Sequence, residues 1–238
     1  MSDTITVVLV HGAFAESASW NGVIANLQAR GIAAIATPNQ LRSVTTDAEN
    51  VRLATVAVGG PVLLVGHSYG GTVITEAAVD NDAVSGLVYV SAFAPDHGEN
   101  SLQLTGQFPG STLGDTVRPI PLSDGTNDLI VDRELFPNQF AGDVPLADAK
   151  LAAATQRAIR DFALGEPQPA ETPAWKTLPS WFIFGSGDKN IPVEGLRFMA
   201  ERAGSLSTRE IEGASHSVMV SNPDAVAQLI ADAVAHLS

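Results

Sequence analysis

The sequence predicts an α/β protein in which a mostly parallel, doubly wound sheet carries helices on both faces. Two observations predict this class. Short apolar runs rich in β-branched residues recur along the chain, and segments with helical apolar spacing separate most of them. Because parallel strands need crossover connections, this alternation is typical of a sheet with helices packed on each side.

Six strands are predicted from the short apolar runs, each about the length of a buried strand. They cover residues 4–10, 33–36, 62–65, 87–91, 180–184 and 208–211. Five helices are predicted from apolar residues that recur every three or four positions. They cover residues 18–30, 46–58, 72–79, 193–202 and 223–237. Pro223 suits the first position of the last helix, where Asn222 can act as the N-cap.

The stretch from about residue 95 to residue 178 interrupts the alternation. It is rich in Pro, Gly, Asp and Thr, with a helical segment at 146–164 and weak strand-like pieces near Ile120 and Leu129. We interpret it as an inserted lid that folds over a site on the sheet. A chain of 238 residues with 45% hydrophobic residues can bury one sizeable core, so residues 1–238 are predicted to form a single domain.

Composition and charge argue against several classes of partner. The formal net charge of −13 disfavours nucleic acid and anionic membrane surfaces. The chain has no cysteine, which excludes disulfides and thiolate metal sites. The first residues lack the basic segment of a signal peptide and no apolar run is long enough for a membrane span, so we expect a cytoplasmic location. These numbers suit a monomer and an oligomer equally.

A serine flanked by glycines lies where the third predicted strand meets the following helix. The sequence LLVGHSYGG, residues 63–71, matches the pattern G-x-S-x-G around Ser68. So sharp a strand-to-helix turn strains the backbone at its apex, and Gly66 and Gly70 lack the β-carbons that would clash there. Ser68 is therefore the predicted nucleophile, held at the carboxyl end of the sheet. A phosphate-binding loop is disfavoured because no lysine follows the glycines.

The nucleophile needs a base, and histidine is the usual one. Of the five histidines, His11 ends the first predicted strand, His67 points to the other side of the turn, His97 opens the lid and His236 lies in the last helix. His216 remains. It lies in GASHSVMVSNP, a loop after the last predicted strand, and is the predicted base.

The acid that orients the base should follow a strand and lie between the serine and the histidine in the chain. Asp188, in FIFGSGDKNIP, meets both conditions and is preferred, whereas Asp96 is the competing candidate. An oxyanion needs two backbone N–H donors. Tyr69, directly after the serine, is predicted to supply one, and Ala13, or alternatively Phe14, the other.

Four segments, LVHGAF, GHSYGG, GSGDKNIP and GASHSVMVSNP, follow one another in this order. Together they resemble the α/β-hydrolase family, in particular the small serine esterases typified by plant methyl-ester hydrolases and hydroxynitrile lyases. The similarity covers about residues 5–94 and 179–237, and the lid matches only loosely. The resemblance implies the α/β-hydrolase fold. It also implies Ser68, Asp188 and His216 as nucleophile, acid and base, with oxyanion donors from Ala13 and Tyr69.

One position departs from a branch of this family. Hydroxynitrile lyases of this type carry a lysine directly after the catalytic histidine, whereas this chain has Ser217 there. The resemblance therefore implies an esterase rather than a lyase. Dehalogenases and epoxide hydrolases of the same fold have an aspartate as nucleophile, and Ser68 argues against both.

Large apolar side chains of the lid and core are candidates for the substrate pocket, although packing between lid and core is an equally good interpretation of each. From the lid they are Phe108, Leu135, Phe136, Phe140, Phe162 and Trp175, and from the core Phe14 and Phe93. An apolar pocket predicts small to medium uncharged esters or lactones as substrates.

The sequence thus predicts a serine esterase that forms an acyl-enzyme on Ser68 and acts on a small-molecule ester. Three alternatives stay open: an acyltransferase, lactonase or perhydrolase that uses the same residues, a lyase or oxygenase on this fold, and a small-molecule receptor that retains a hydrolase body. No metal or organic cofactor is expected, because the histidines are not at ligand spacing and no dinucleotide-binding glycine pattern follows a strand.

Overall fold

The computed structural model describes residues 4–238. Residues 1–3, on which the expectation about a signal peptide partly rests, lie outside the described part. The described residues form nine strands: β1 (Thr6–Val10), β2 (Ala34–Thr37), β3 (Val62–His67), β4 (Val84–Val90), β5 (Val117–Pro121), β6 (Asn127–Val131), β7 (Ile159–Arg160), β8 (Ser180–Gly185) and β9 (Ser207–Ile211). Six of them make a main sheet in the order β2-β1-β3-β4-β8-β9 with parallel neighbours, and β5, β6 and β7 make a small antiparallel sheet.

The α-helices are α1 (Asn21–Ala29), α2 (Val44–Val58), α3 (Tyr69–Ala77), α4 (Ser101–Gln107), α5 (Leu113–Thr116), α6 (Phe136–Phe140), α7 (Leu146–Thr155), α8 (Val193–Arg202), α9 (Val218–Ser221) and α10 (Pro223–Leu237). Short 3-10 helices lie at Ser17–Trp20, Asp161–Leu164 and Ala174–Lys176. Within residues 4–238, no helix is both long enough and apolar enough to cross a membrane.

The sheet divides the apolar interior into two clusters of buried side chains. Along β1, Val8 and Val10 face one cluster and Val7 and Leu9 face the other, as the alternation of side chains along a strand requires. Helices α2, α3 and α8 cover the first face, and α1 and α10 cover the second. The predicted fold class, a parallel sheet with helices on both faces, is confirmed.

All six predicted strands of the main sheet are present, and α8 and α10 begin and end at the predicted residues. The predicted helix at 146–164 is wrong beyond Thr155. The chain there turns into β7, where the Arg160 N–H donates to the Leu41 carbonyl at 2.9 Å and Ile159 pairs with Leu129 of β6. Tertiary hydrogen bonds thus override the local helical pattern.

Residues 91–179, which connect β4 to β8, are called the insertion below. They contain the antiparallel sheet and α4 to α7, and their buried side chains belong to the same cluster as α2, α3 and α8. Arg202 of α8 binds Glu99 of the insertion through both carboxylate oxygens, each at 2.8 Å. Arg42, which precedes α2, binds Asp128 at 2.7 Å and the Ala158 carbonyl at 2.9 Å. The insertion is therefore fastened to the sheet layer at two separate edges.

Helices α2 and α3 are joined by a buried polar contact that the sequence analysis missed. The Tyr69 hydroxyl donates to Asp47 Oδ2 at 3.0 Å, and the Arg42 backbone N–H donates to both carboxylate oxygens at 3.1 and 3.2 Å. Burial raises the pKa of Asp47 from 3.8 to about 6, against the hydrogen bonds from Arg42 and Tyr69, and the nearby Glu166 carboxylate adds to the rise. Compared with the unfolded chain, the folded protein therefore disfavours the charged form of Asp47.

We predict that Gly185→Ala destabilises the fold. A β-carbon at Gly185 would overlap the Ala214 carbonyl, because the loop after β9 lies directly against the end of β8. We expect the free energy of unfolding to fall by roughly 3 kcal/mol, as for other overpacked positions. Urea unfolding followed by circular dichroism measures this. The control is Gly106→Ala in α4, where the added β-carbon meets nothing within 4 Å, and stability should stay constant or rise by up to about 1 kcal/mol.

We predict that Asp47→Asn stabilises the protein increasingly as the pH rises. A carboxyl whose pKa is raised on folding contributes stability that is complete below its unfolded pKa and is lost as the pH rises through about 6. The difference in unfolding free energy between the variant and the wild type should therefore grow in favour of the variant by up to about 3 kcal/mol between pH 4 and pH 7. Urea unfolding across this range tests it, and a pH-independent difference would contradict it.

Candidate active site

Ser68 lies at the turn between β3 and α3 with an unusual backbone conformation. Its φ is 54° and its ψ is −123°, which is strained for a residue with a side chain. The turn is closed by glycines: a β-carbon at Gly66 would lie 2.6 Å from the Gly70 carbonyl oxygen, and one at Gly70 would lie 2.5 Å from the Val10 carbonyl oxygen. The role expected of both glycines from the sequence is consistent with these contacts. The turn presents Ser68 at the carboxyl end of the sheet, 7% exposed.

His216 and Asp188 form a buried ion-pair geometry beside this turn. His216 Nδ1 lies 2.7 Å from Asp188 Oδ2, and their side chains are 1% and 0% exposed. The second carboxylate oxygen, Oδ1, accepts hydrogen bonds from the backbone N–H groups of Asn190 at 2.8 Å and Ile191 at 3.0 Å. Because the carboxylate accepts from Nδ1–H, the other ring nitrogen, Nε2, is left to accept a proton. This is the arrangement that a general base requires.

The other two buried histidines have structural partners. His67 Nε2 donates to the His216 carbonyl oxygen at 3.0 Å, and burial, reinforced by the neighbouring His216 ring, lowers the pKa of His67 well below 6.5. His11 Nδ1 donates to the Gly12 carbonyl at 2.9 Å and its Nε2 accepts from the Asn39 N–H at 3.0 Å. Burial lowers the pKa of His11 to about 4. Both rings are therefore neutral near pH 7.

The remaining histidines lie away from Ser68. His97 is exposed and its ring contacts the Ala170 carbonyl, and the exposed His236 packs edge-on against Trp181. The competing acid, Asp96, forms an ion pair with Lys176 at 2.5 Å near the surface, and its pKa is held below its usual value by Lys176 and the His97 N–H in spite of partial burial. Of the two candidate acids, Asp188 contacts His216 and Asp96 contacts Lys176 instead.

The segment after β1 passes directly over the serine. A β-carbon at Gly12 would lie 2.6 Å from Ser68 Cβ, so the residues that follow it, Ala13 and Phe14, begin beside this serine. Phe14 has a positive φ of 59°, which turns the chain sharply there. Tyr69 is the first residue of α3, where backbone N–H groups have no partner within the helix. Within residues 4–238, the N–H groups of Ala13, Phe14 and Tyr69 make no hydrogen bond to another protein atom.

A cavity of about 560 Å³ opens onto these groups, and we call it the serine cavity. Ser68, His216 and Ala13 line its floor. Its opposite wall comes from the insertion, chiefly from α4 and the chain that follows it, through Leu102, Thr105 and Leu113. Apolar atoms dominate the lining, so the cavity suits an uncharged ligand.

Four of the aromatic side chains expected in the substrate pocket line the serine cavity: Phe14, Phe93, Phe108 and Phe140. Phe136 lies in a second, neighbouring cavity, and Phe162 and Leu135 are exposed at 51% and 41% and line neither. The expectation for Trp175 is corrected. Its indole N–H donates to the Pro95 carbonyl at 2.9 Å and its ring lies beneath the Arg202 guanidinium, so it packs the insertion onto α8 rather than lining a cavity.

Several lining residues were missed from the sequence. Asn190 and Ile191 enter the serine cavity because they follow Asp188, whose carboxylate their N–H groups bind. Leu102 and Thr105 enter it through α4, which the sequence analysis did not predict. A signal for α4 existed: Asn100 and Gln103 form a capping box, and each side chain accepts from the other residue's backbone N–H.

No metal-binding group stands out near the site. Within residues 4–238, no set of three or more His, Asp or Glu side chains is arranged to hold a metal ion. What the site can do chemically follows from the groups described above: a serine hydroxyl on a strained turn, a histidine with a carboxylate partner, and unpaired backbone donors.

Known proteins resemble this chain over nearly its whole length. A pyrethroid hydrolase of Sphingobium wenxiniae is 29% identical over 250 residues, covering 96% of this chain and 88% of that protein. An alpha-hydroxynitrile lyase of Arabidopsis thaliana is 27% identical over 241 residues, covering 91% of this chain and 92% of that protein. The crystal structure of polyneuridine aldehyde esterase superposes with a TM-score of 0.81 at 20% identity, covering 97% of this chain and 99% of that one.

The structural match, at this low identity, shows a shared fold. The family model described as the alpha/beta hydrolase family matches residues 7–229, which include the ends of all six strands of the main sheet and the loops that carry Ser68, Asp188 and His216. The resemblance inferred from the four sequence segments is thereby confirmed, and the chain belongs to the alpha/beta hydrolase family.

Proposed function

We propose that the protein is a carboxylic ester hydrolase that works through an acyl-enzyme on Ser68. The observation that carries the proposal is the buried Asp188–His216 contact at 2.7 Å, whose histidine lines the same cavity as the strained serine. Relatives with hydrolase and esterase names, including the pyrethroid hydrolase and polyneuridine aldehyde esterase, support ester hydrolysis in general. The mechanism and substrate below are our proposal for this chain.

In the first half of the reaction, His216 Nε2 takes the proton from Ser68 as its oxygen attacks the ester carbonyl carbon. Asp188 orients the ring and stabilises the imidazolium that forms. The N–H groups of Ala13 and Tyr69 stabilise the oxyanion, with Phe14 as the alternative to Ala13. When the tetrahedral intermediate collapses, His216 returns the proton to the leaving alcohol.

In the second half, a water molecule attacks the acyl-enzyme. His216 accepts a proton from this water, the same donors stabilise the second oxyanion, and the carboxylic acid leaves as the proton returns to Ser68. Histidine can serve as both base and acid because its ordinary pKa is near neutral pH.

The proposed substrate is an uncharged apolar ester or lactone. The serine cavity of about 560 Å³ is lined by phenylalanine and leucine side chains, and the protein carries a formal net charge of −13, which disfavours an anionic ligand. We further propose that the insertion acts as the lid of a single domain and that the protein works in the cytoplasm. The lid would select the substrate, since α4 supplies one wall of the cavity.

Lyase chemistry is the second candidate, because a hydroxynitrile lyase is among the relatives. The Ser217 hydroxyl donates to the Phe140 carbonyl at 2.9 Å, and none of the described residues that line the serine cavity is a lysine or arginine. A leaving cyanide would thus have no lysine or arginine side chain in this cavity to stabilise it. We therefore favour hydrolysis, and a cyanide-release assay with mandelonitrile distinguishes the two.

We predict that a fluorophosphonate labels Ser68. Labelling should be absent in Ser68→Ala and at least a hundredfold slower in His216→Ala, because the hydroxyl is a weak nucleophile without its base. Intact-mass and peptide mass spectrometry measure this. The matched control is Ser101→Ala, since Ser101 lines the same cavity with its hydroxyl bonded to Thr72 at 3.2 Å, and labelling should persist there. Absence of labelling in the folded wild type would refute the activated serine.

We predict that Asp188→Asn lowers kcat for a short p-nitrophenyl ester by a factor on the order of 10⁴, because the amide no longer holds the ring in the required tautomer. Asp96→Asn should change kcat by less than about twofold, since Asp96 contacts Lys176 rather than His216. Steady-state kinetics on both variants test the assignment. An equal loss in the two variants, or a loss in Asp96→Asn alone, would contradict it.

A further inference from the structure

A second cavity of about 440 Å³ lies next to the serine cavity. Its walls come chiefly from four places: the segment between β1 and α1, helices α6 and α7 of the insertion, and helix α9 after His216. Ala152 and Leu151 of α7 and Val220 of α9 line it, and none of the three lines the serine cavity. No step of the proposed reaction uses this space.

Two aromatic side chains form the boundary between the two cavities. Phe14 and Phe140 line both cavities, and their rings meet edge to face with centroids 6.3 Å apart. The Phe140 carbonyl accepts from the Ser217 hydroxyl at 2.9 Å, and the Phe140 ring stacks on Phe136 and lies edge-on to His216, each with centroids 4.8 Å apart. A ligand that spans both spaces therefore has to displace this ring.

Several polar side chains of the second cavity are already engaged with the protein. Gln156 donates to the Val131 carbonyl at 2.8 Å and accepts from the Val131 N–H at 2.8 Å. Thr155 donates to the Leu151 carbonyl, and Ser19 donates to the Glu16 carbonyl at 2.6 Å. Against these walls a polar guest would lose hydrogen bonds to water without replacing them, whereas an apolar group enters at no such cost.

The charged and the exposed apolar side chains around the second cavity also favour an uncharged apolar ligand. Glu16 and Asp148 line the cavity, and both are acidic, so a carboxylate guest is repelled. Leu151, exposed at 64%, and Val220, exposed at 38%, present apolar surface at the same place. An uncharged, elongated apolar group matches both the walls and the rim.

We propose that the second cavity binds the distal alkyl or aryl end of a long uncharged ester whose carbonyl lies at Ser68, with Phe140 as the gate between the two spaces. This inference rests on the proposed function for the position of the carbonyl. It makes the protein selective for long apolar esters, because each methylene that enters the second cavity adds buried apolar area.

The test compares p-nitrophenyl butanoate with p-nitrophenyl dodecanoate on Ala152→Trp, in which an indole fills the second cavity. Ala152 is exposed, so the variant is expected to fold. We expect kcat/KM for the dodecanoate to fall at least tenfold and that for the butanoate to stay within twofold. Val220→Trp, on the opposite wall, should act in the same way. Leu53→Trp, on the exposed face of α2 and lining neither cavity, is the control and should change neither value.

An unchanged dodecanoate value in both cavity variants, or an equal loss on both esters, would overturn the inference. A direct binding measurement separates it from the proposed function. We expect 1-dodecanol to bind Ser68→Ala, as measured by calorimetry, at least tenfold more tightly than it binds Ser68→Ala/Ala152→Trp. If the wild type cleaves neither ester while this difference persists, the proposed function fails and the apolar site stands. If the affinities are equal, the site is refuted whatever the esters show.

Discussion

Contact between backbones at the carboxyl end of the sheet is the constraint on which the rest of the site depends. Gly12, Gly66, Gly70 and Gly185 each lie so close to a neighbouring chain segment that a β-carbon would overlap it. These approaches bring the loops after β1, β3, β8 and β9 into one small volume. The strained backbone of Ser68 persists because these packed loops hold it there. Contacts elsewhere in the domain offset the free-energy cost of the strain.

The insertion takes part in the site through the loop that carries Asp188. The Gln139 amide donates to the Lys189 carbonyl and to Asn190 Oδ1, at 2.9 and 2.8 Å, and the Ser111 hydroxyl donates to the Asn190 carbonyl at 2.8 Å. The Asn190 N–H in turn binds the Asp188 carboxylate. Hydrogen bonds therefore link the Asp188 loop to the insertion, which also lines the serine cavity.

Most of the features that could be predicted from the sequence are encoded by local sequence patterns. Most of the six core strands are apolar runs, although β9 reads STREI, and the glycines around Ser68 mark a turn whose chemistry is local, so both were found. Helix α4 and helix α6 were not, because each is at most seven residues long and owes its stability to packing. Trp175 was misplaced for a related reason: its large apolar ring suits a pocket and a lid–core contact equally, and only the Arg202 and Pro95 contacts decide between them.

Three buried histidines so close together require that two of them stay uncharged. The rings of His67 and His216 lie 4.7 Å apart, a distance at which two imidazolium charges would repel strongly. His67 and His11 donate only to backbone carbonyls, whereas His216 alone has a carboxylate partner. Of the three rings, His216 is therefore the one with a partner for a positive charge. The neutral His67 also holds the His216 backbone through its carbonyl.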